Sequence, residues 1–228
     1  MSTYIGVYAL WTGGTVMSEK INFLYEEETF VVIEKISGFL SVPGRGLENL
    51  DCVTERVKEK YPRCIAHPAV HRLDMDTSGL MVVALTKEVH RNLSIQFQER
   101  QTRKRYEALL DGIVEESSGT IELPFRLDVD NRPHQIYDDV HGKMGLTHWQ
   151  KIADENGYSR LSLIPVTGRT HQLRLHTSHE KGLGIPIMGD PLYGNTAENG
   201  QLKLHACFLS FQHPSSGLVM DFESIVPF

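Results

Sequence analysis

Leu80-Met81-Val82-Val83-Ala84-Leu85 is a short, unbroken apolar run with adjacent β-branched residues. A run of this kind reads as a buried strand. Directly before it comes His71-Arg72-Leu73-Asp74-Met75-Asp76-Thr77-Ser78-Gly79, a polar loop holding two carboxylates, an Arg and a His and ending in a Ser-Gly turn signal. A core strand fixes the backbone while the loop stays open, which suits a binding or catalytic residue. The same residue types also suit an ordinary turn, because Asp, Thr and Ser side chains bond their own loop backbone.

The surroundings narrow the choice. The chain has 228 residues, 40% hydrophobic and 23% charged, as expected of a soluble globular protein that buries a substantial core. Net charge is -6, so the average does not advertise nucleic acid. Between Lys60 and Leu110, however, nine Lys/Arg stand against five Asp/Glu, and an acidic average can hide a basic face. Cys52, Cys64 and Cys207 lie far apart with no C-x-x-C, which points to a reducing cytosol and away from disulfides or structural zinc. No apolar run approaches the roughly 20 residues that span a bilayer. The expected location is cytoplasmic, with no membrane contact.

Taken in order, residues 1–20 read as an N-terminal extension, disordered and with little role in the fold; Met17-Ser18-Glu19-Lys20 is itself a natural start. Residues 21–228 are expected to form one folded domain. Strands are expected at Ile21–Tyr25 and Phe30–Lys35, with a third short piece at Phe39–Val42. An amphipathic helix over 50–60 sets Leu50, Val53 and Val57 on one face and ends before Pro62. A second helix runs from Lys87 to about Glu99 with Val89, Leu93 and Phe97 as its stripe. Arg100 to Leu110 brings four basic residues and Tyr106 into a strand. A charge run is usually a solvated face, but with an aromatic beside it this one also suits a phosphate-lined groove with a stacking platform. Short strands punctuated at Pro124, Asn131-Arg132-Pro133 and Gly142-Lys143 fill 119–149. A strand at Tyr158–Val166 follows, and then a helix capped by Thr170 and running to about Lys181, with His171, Arg174, His176 and His179 on it. Strands at 202–211 and 218–222 close the chain. Many strands and few helices indicate an α+β domain with a large, mixed, mostly antiparallel sheet and a few flanking helices.

Asp74 can act as nucleophile or general base. An ionised carboxylate in a closed site needs a cation, and Arg169 or Arg174 can supply it. Tyr106 can pack against a planar ring or act as acid or base. No dinucleotide, Walker or nucleophile-elbow motif is present. The pairs His67/His71 and His176/His179 have chelating spacing, but no H-E-x-x-H or Cys pair accompanies them, so no metal is expected.

The loop at His71–Gly79 resembles the signature of the RluA-type pseudouridine synthases. Lys104-Arg105-Tyr106-Glu107-Ala108 resembles the family's basic-Tyr strand. Thr167-Gly168-Arg169-Thr170-His171-Gln172-Leu173-Arg174-Leu175-His176 resembles its G-R-x-H-Q-[IL]-R-x-H motif. Gly184 to Gly194 resembles the loop after it, and Leu204-His205-Ala206 the strand beyond. All five stand in family order from about Leu24 to the C-terminus.

The resemblance implies an active-site cleft across the sheet and isomerisation of uridine in RNA to pseudouridine. It makes Asp74 the essential catalytic residue, Tyr106 the aromatic beside the target base and Arg174 the partner of the Asp. Arg72 fills the stack when the uridine leaves. Thr77, Arg103, Lys104, Arg169, His171 and Leu204 are the further candidates for binding substrate. The isomerisation is redox-neutral, and no cofactor is expected. The expected partner is RNA, with no obligatory protein partner and a monomer as the working state. The chain is similar to the short type that acts on both large-subunit rRNA and a tRNA anticodon stem-loop; Leu40–Arg45 favours that comparison. Two segments depart from the family pattern. Lys35-Ile36-Ser37-Gly38 lacks a usual Pro, and Gly142-Lys143-Met144-Gly145 stands where Gly-Lys-Pro-Ala is common, which puts local loop shape in question. The competing readings are a non-catalytic RNA-binding or chaperone protein on the same fold, and a metal-dependent hydrolase using Asp74, Asp76 and the His residues.

Overall fold

The computed structural model describes residues 5–7, 20–194 and 200–228. The described strands pair in a mixed, mostly antiparallel arrangement accompanied by three helices. They fall into two compact units, one of residues up to Lys104 with Ala206–Pro227, the other of Arg105–His205 with Phe228.

In the first unit, β1 (Ile5–Val7), β2 (Ile21–Glu26), β3 (Phe30–Lys35) and α1 (Val53–Lys60) precede β4 (Ser78–Ala84) and α2 (Lys87–Gln98). The polypeptide returns to this unit in β10 (Leu204–Gln212, from Ala206 onward) and β11 (Val219–Glu223). β3 pairs antiparallel with both β2 and β4, and β10 with β11. The backbone of β1 lies parallel to Met220–Phe222; the rest of the expected N-terminal extension up to residue 19 lies outside the described residues. β4 is buried along its whole length. Its Leu80, Val82 and Ala84 pack with Phe30, Val32, Leu93 and Phe211 in one apolar cluster. The continuous apolar run is therefore the centre of this core. Thr86 caps α2 by accepting the Val89 N–H at 3.4 Å.

The second unit holds β5 (Arg103–Leu110, from Arg105 onward), β6 (Ser118–Leu127), β7 (Gln135–Tyr137), β8 (Lys143–Glu155), β9 (Tyr158–Pro165) and α3 (Gln172–Ser178). The strand order is β5-β9-β8-β6-β7, and the pairs β5/β9, β9/β8, β8/β6 and β6/β7 are antiparallel. Leu161 and Leu163 of β9 and Leu123 and Phe125 of β6 join Leu173, Leu175 and Leu204 in its core.

Several local expectations are corrected. Phe39–Val42 forms no strand; Leu40 makes a single bridge to Cys52, the Phe39 N–H donates to the Met75 carbonyl and the Ser41 hydroxyl bonds Leu73. Leu50 lies outside α1 and is 47% exposed, whereas Val53 and Val57 are fully buried as expected. Pro124 lies inside β6, opposite Met144. Thr170 does not cap α3. His171 occupies that position in the left-handed region (φ 54), and Gln172 reaches back to accept the Arg169 N–H at 3.1 Å. α3 stops at Ser178 rather than near Lys181, because the polypeptide folds back over the helix end. A Cβ at Gly182 would lie 1.9 Å from the His176 carbonyl oxygen, so only glycine allows this approach.

Candidate active site

In the first unit, Asp74 begins a turn closed by the Thr77 N–H, which donates to the Asp74 carbonyl at 3.2 Å. The turn has little backbone freedom. Ser41 Oγ donates to the Leu73 carbonyl at 2.6 Å and accepts the Leu73 N–H at 3.1 Å. The Lys35 ammonium and the Phe39 N–H both reach the Met75 carbonyl, at 2.8 and 3.1 Å. Ser37 Oγ donates to the Asp76 carbonyl at 2.6 Å. All four carbonyls from Leu73 to Asp76 are thus engaged, three of them by residues 35–41. Behind the turn, a Cβ on Gly79 (φ +113) would lie 2.4 Å from the Ala206 carbonyl oxygen. Glycine is required there by both backbone conformation and close approach.

Arg72 is exposed and Thr77 buried, so the loop offers the guanidinium to solvent and keeps the hydroxyl inside. The His71 ring stacks on Phe97 at 4.4 Å, and its Nε2 accepts the Val82 N–H at 3.1 Å. Burial, and then the charge of Lys104, pull its pKa down to about 3, so this His stays neutral. Lys104 is partly buried, and burial lowers its pKa as well. Arg103 is exposed and reaches Ser210 at 3.2 Å and Asp221 at 3.3 Å. The two neighbouring cations therefore stand in different environments. Among the described residues no group of three or more His, Cys, Asp or Glu side chains is placed to hold a metal ion, and no helix is long and apolar enough to cross a membrane.

In the second unit, Arg174 is 2% exposed and forks onto Asp190, Nε to Oδ2 at 2.8 Å and Nη2 to Oδ1 at 2.6 Å. Asp190 Oδ1 also accepts the N–H groups of Leu192 and Tyr193, at 2.9 and 3.0 Å. The Tyr193 ring lies 5.4 Å from the guanidinium, and its hydroxyl is 2.9 Å from His171 Nδ1. Arg174 and His171 are thus joined through a loop about 20 residues downstream. Asp190 and Tyr193 lie in the stretch from Gly184 to Gly194 that resembles the family's loop; no local pattern reveals the ion pair. Arg169 is half-buried, its Nε donating to the Met144 carbonyl at 2.8 Å. Tyr106 is half-buried against the core that contains Leu204.

The two departures from the family pattern have local compensation. Ile36 donates its N–H to the Lys20 carbonyl at 3.3 Å, a bond that Pro cannot make. At Gly145 a Cβ would lie 2.6 Å from both His176 Nε2 and Phe125 Cε1, which excludes the more common Ala without a shift.

Residues 29–179 match the family model described as RNA pseudouridylate synthase. The Dual-specificity RNA pseudouridine synthase RluA of Yersinia pestis is 43% identical over 204 residues, 88% of this chain and 96% of that one. The protein of the same name from Escherichia coli K12 is 40% identical over 210 residues, 90% and 93% of the two chains. Human RNA Pseudouridylate Synthase Domain Containing 1 superposes with a TM-score of 0.73 at 28% identity, covering 96% of this chain and 87% of its own. The chain belongs to the RNA pseudouridylate synthase family and, within it, to the RluA type.

Proposed function

We propose that this synthase isomerises specific uridines in structured RNA to pseudouridine, with Asp74 as the essential carboxylate, and that its targets lie in large-subunit rRNA, a tRNA anticodon stem-loop, or both. The observation that carries the role of Asp74 is its turn: every carbonyl from Leu73 to Asp76 is bonded, so the side chain is presented from a fixed base. Preorganisation of this kind is what a reacting group needs. The relatives' printed names support the RNA targets.

In the reaction the N1–C1′ bond breaks, the uracil turns, and a C5–C1′ bond forms. The C5 proton is lost and one proton is gained at N1, so atoms balance without any electron carrier or cofactor. A stacked uridine must first be flipped out of the RNA. Arg72, exposed beside Asp74, fills the vacated stack. Tyr106 lies against the target base and is the candidate to take the C5 proton. Arg174, held rigid by Asp190, is the candidate cationic partner for a reacting carboxylate. Arg103, Lys104 and Arg169 meet phosphates, and Thr77, His171 and Leu204 shape the walls. The protein works in the cytoplasm as a monomer on RNA alone.

The test is a pseudouridine map of rRNA and tRNA from cells lacking the gene, set beside the parent and beside cells restored with wild-type or Asp74→Asn protein. Loss at one or a few uridines, restored by wild type alone, is expected. Pseudouridine formed by purified Asp74→Asn at a rate near wild type overturns the assignment.

A further inference from the structure

β6 pairs with β8 along Ser118–Phe125. On its other side β7 takes up only Phe125–Leu127, and the Asp138 N–H adds one bond, at 3.1 Å, to the Pro124 carbonyl. Among the described residues no strand pairs with that side of Ser118–Leu123. The Lys151 N–H donates to the Ser117 carbonyl at 2.8 Å, which fixes the phase of the ladder. Gly119 and Ile121 therefore turn their N–H and C=O groups to β8, and Ser118, Thr120 and Glu122 turn theirs to the open edge. All three are exposed. Such an edge is a template for another chain.

Beside the edge lies a cavity of about 720 Å³, walled on its apolar side by Ile121, Trp149 and Ile185. That volume is in the range of ligand sites. Trp149 is 6% exposed, yet its indole N–H bonds none of the described residues. Gly119 keeps this edge of the ring open, since a Cβ there would lie 2.9 Å from Nε1. The rim carries Glu115, Glu116 and Glu122 against one cation, Lys181, whose ammonium lies 5.3 Å from the Tyr137 ring. Arg169 bonds the far end of the β6/β8 ladder at Met144, opposite Pro124, about 13 Å from Thr120 along the strand.

We propose that the β6 edge at Ser118–Leu123 is a docking site for an extended basic segment of another protein, added as a strand beside β6. The outward N–H and C=O groups of Ser118, Thr120 and Glu122 hold its backbone, and alternate side chains enter the cavity. An apolar side chain meets Trp149 and Ile185, a carbonyl accepts the indole N–H, and Lys or Arg side chains meet the three carboxylates. The same carboxylates repel the phosphates of RNA. Two β6 edges laid together would set their like charges opposite one another, which disfavours self-pairing. Turnover on bare RNA needs no such partner, so the site is independent of the uridine chemistry.

The probe is the capped heptapeptide Arg-Val-Arg-Val-Arg-Val-Arg, set beside a copy with Glu for Arg and a fully N-methylated copy. Kd is measured by calorimetry, and backbone amide exchange by NMR. At about ten times its Kd the Arg peptide is expected to slow exchange at Ser118, Thr120 and Glu122 about tenfold. The Glu and N-methylated peptides should bind at least about tenfold more weakly. Thr120→Pro removes one outward N–H in the phase that Pro124 already occupies in β6. It should weaken the Arg peptide about tenfold and leave pseudouridine formation on bare transcripts unchanged. Joint Glu115→Gln, Glu116→Gln and Glu122→Gln should weaken it about tenfold, as for three exposed ion pairs. An Arg peptide that fails to bind, binds no tighter than its N-methylated copy, or leaves the three edge amides exchanging freely overturns the proposal. Exchange there that slows with protein concentration alone overturns it in favour of a second copy. Should Thr120→Pro fail to fold, the N-methylated peptide decides.

Discussion

Arg174 and Asp190 form a two-bond ion pair with side chains 2% and 0% exposed, and the carboxylate carries two backbone N–H groups besides. Removing one member leaves the other as an uncompensated buried charge. Asp190→Ala should destabilise the protein by about 3–5 kcal/mol and lower turnover. Arg174→Lys keeps the charge but loses the planar fork, at a cost of about 1.5–3 kcal/mol, the worth of a hydrogen bond to a charged group. Chemical denaturation of the two variants measures both; an Arg174→Lys variant as stable as wild type would show that charge alone matters.

Gly79→Ala should destabilise by more than about 2 kcal/mol, because its Cβ meets the Ala206 backbone and φ is +113. Gly157→Ala is the control. There φ is +88 but nothing lies within 4 Å, so only the conformational cost of about 1–2 kcal/mol remains. A Gly79→Ala cost no larger than the Gly157→Ala cost would show that the strand can move aside.

Burial lowers the pKa of His176 and of His205 to about 4. The unfolded chain protonates them near 6.5, so it binds more protons than the folded chain between about 6.5 and 4. Their contribution to stability is constant above that window and falls as pH falls through it, by about 1 kcal/mol per pH unit for each His. Neither ring nitrogen of His176 has a hydrogen-bond partner among the described residues. His176→Leu should therefore be neutral or stabilising at pH 7 and should flatten the acid loss in urea titrations run from pH 7 to 4.

Arg103→Ala should reduce the slope of log RNA affinity against log salt by about 0.7–0.9, as for one neutralised phosphate, and change stability by less than about 1 kcal/mol, since its pair with Asp221 is solvent-exposed. Lys104→Ala should likewise reduce the slope and, by removing the neighbouring charge, also raise the His71 pKa. A salt slope unchanged by Arg103→Ala would make that residue part of a solvated face.

What could be read in advance divides by physical cause. Leu80–Leu85 announced a buried strand because apolar continuity is a local property, and Val53 and Val57 followed from helical period. Leu50 misled because its period matched a helix that begins only at Val53. Thr170 misled because His171, in the left-handed backbone region, takes the cap position of α3 without any side-chain cap bond. The residues of the candidate site were legible as a family pattern. Their supports were not. Lys35, Ser37 and Ser41 bond backbone carbonyls, which every residue possesses, and Asp190 meets Arg174 only through the tertiary fold.

Phe39 bonds Met75, and two steps on Ser41 bonds Leu73, so the two segments run past each other in opposite directions with a hydroxyl standing in for a rung. Such a pairing counts residues. Loss of one residue between Lys35 and Ser41 would bring a neighbouring side chain to Leu73 and break every rung together. The exposed stretch 43–48 carries no rung to the turn and can change in length at little cost. Chain length is therefore constrained unevenly along this region, and the seven residues from Lys35 to Ser41 act as a ruler for the carboxylate turn.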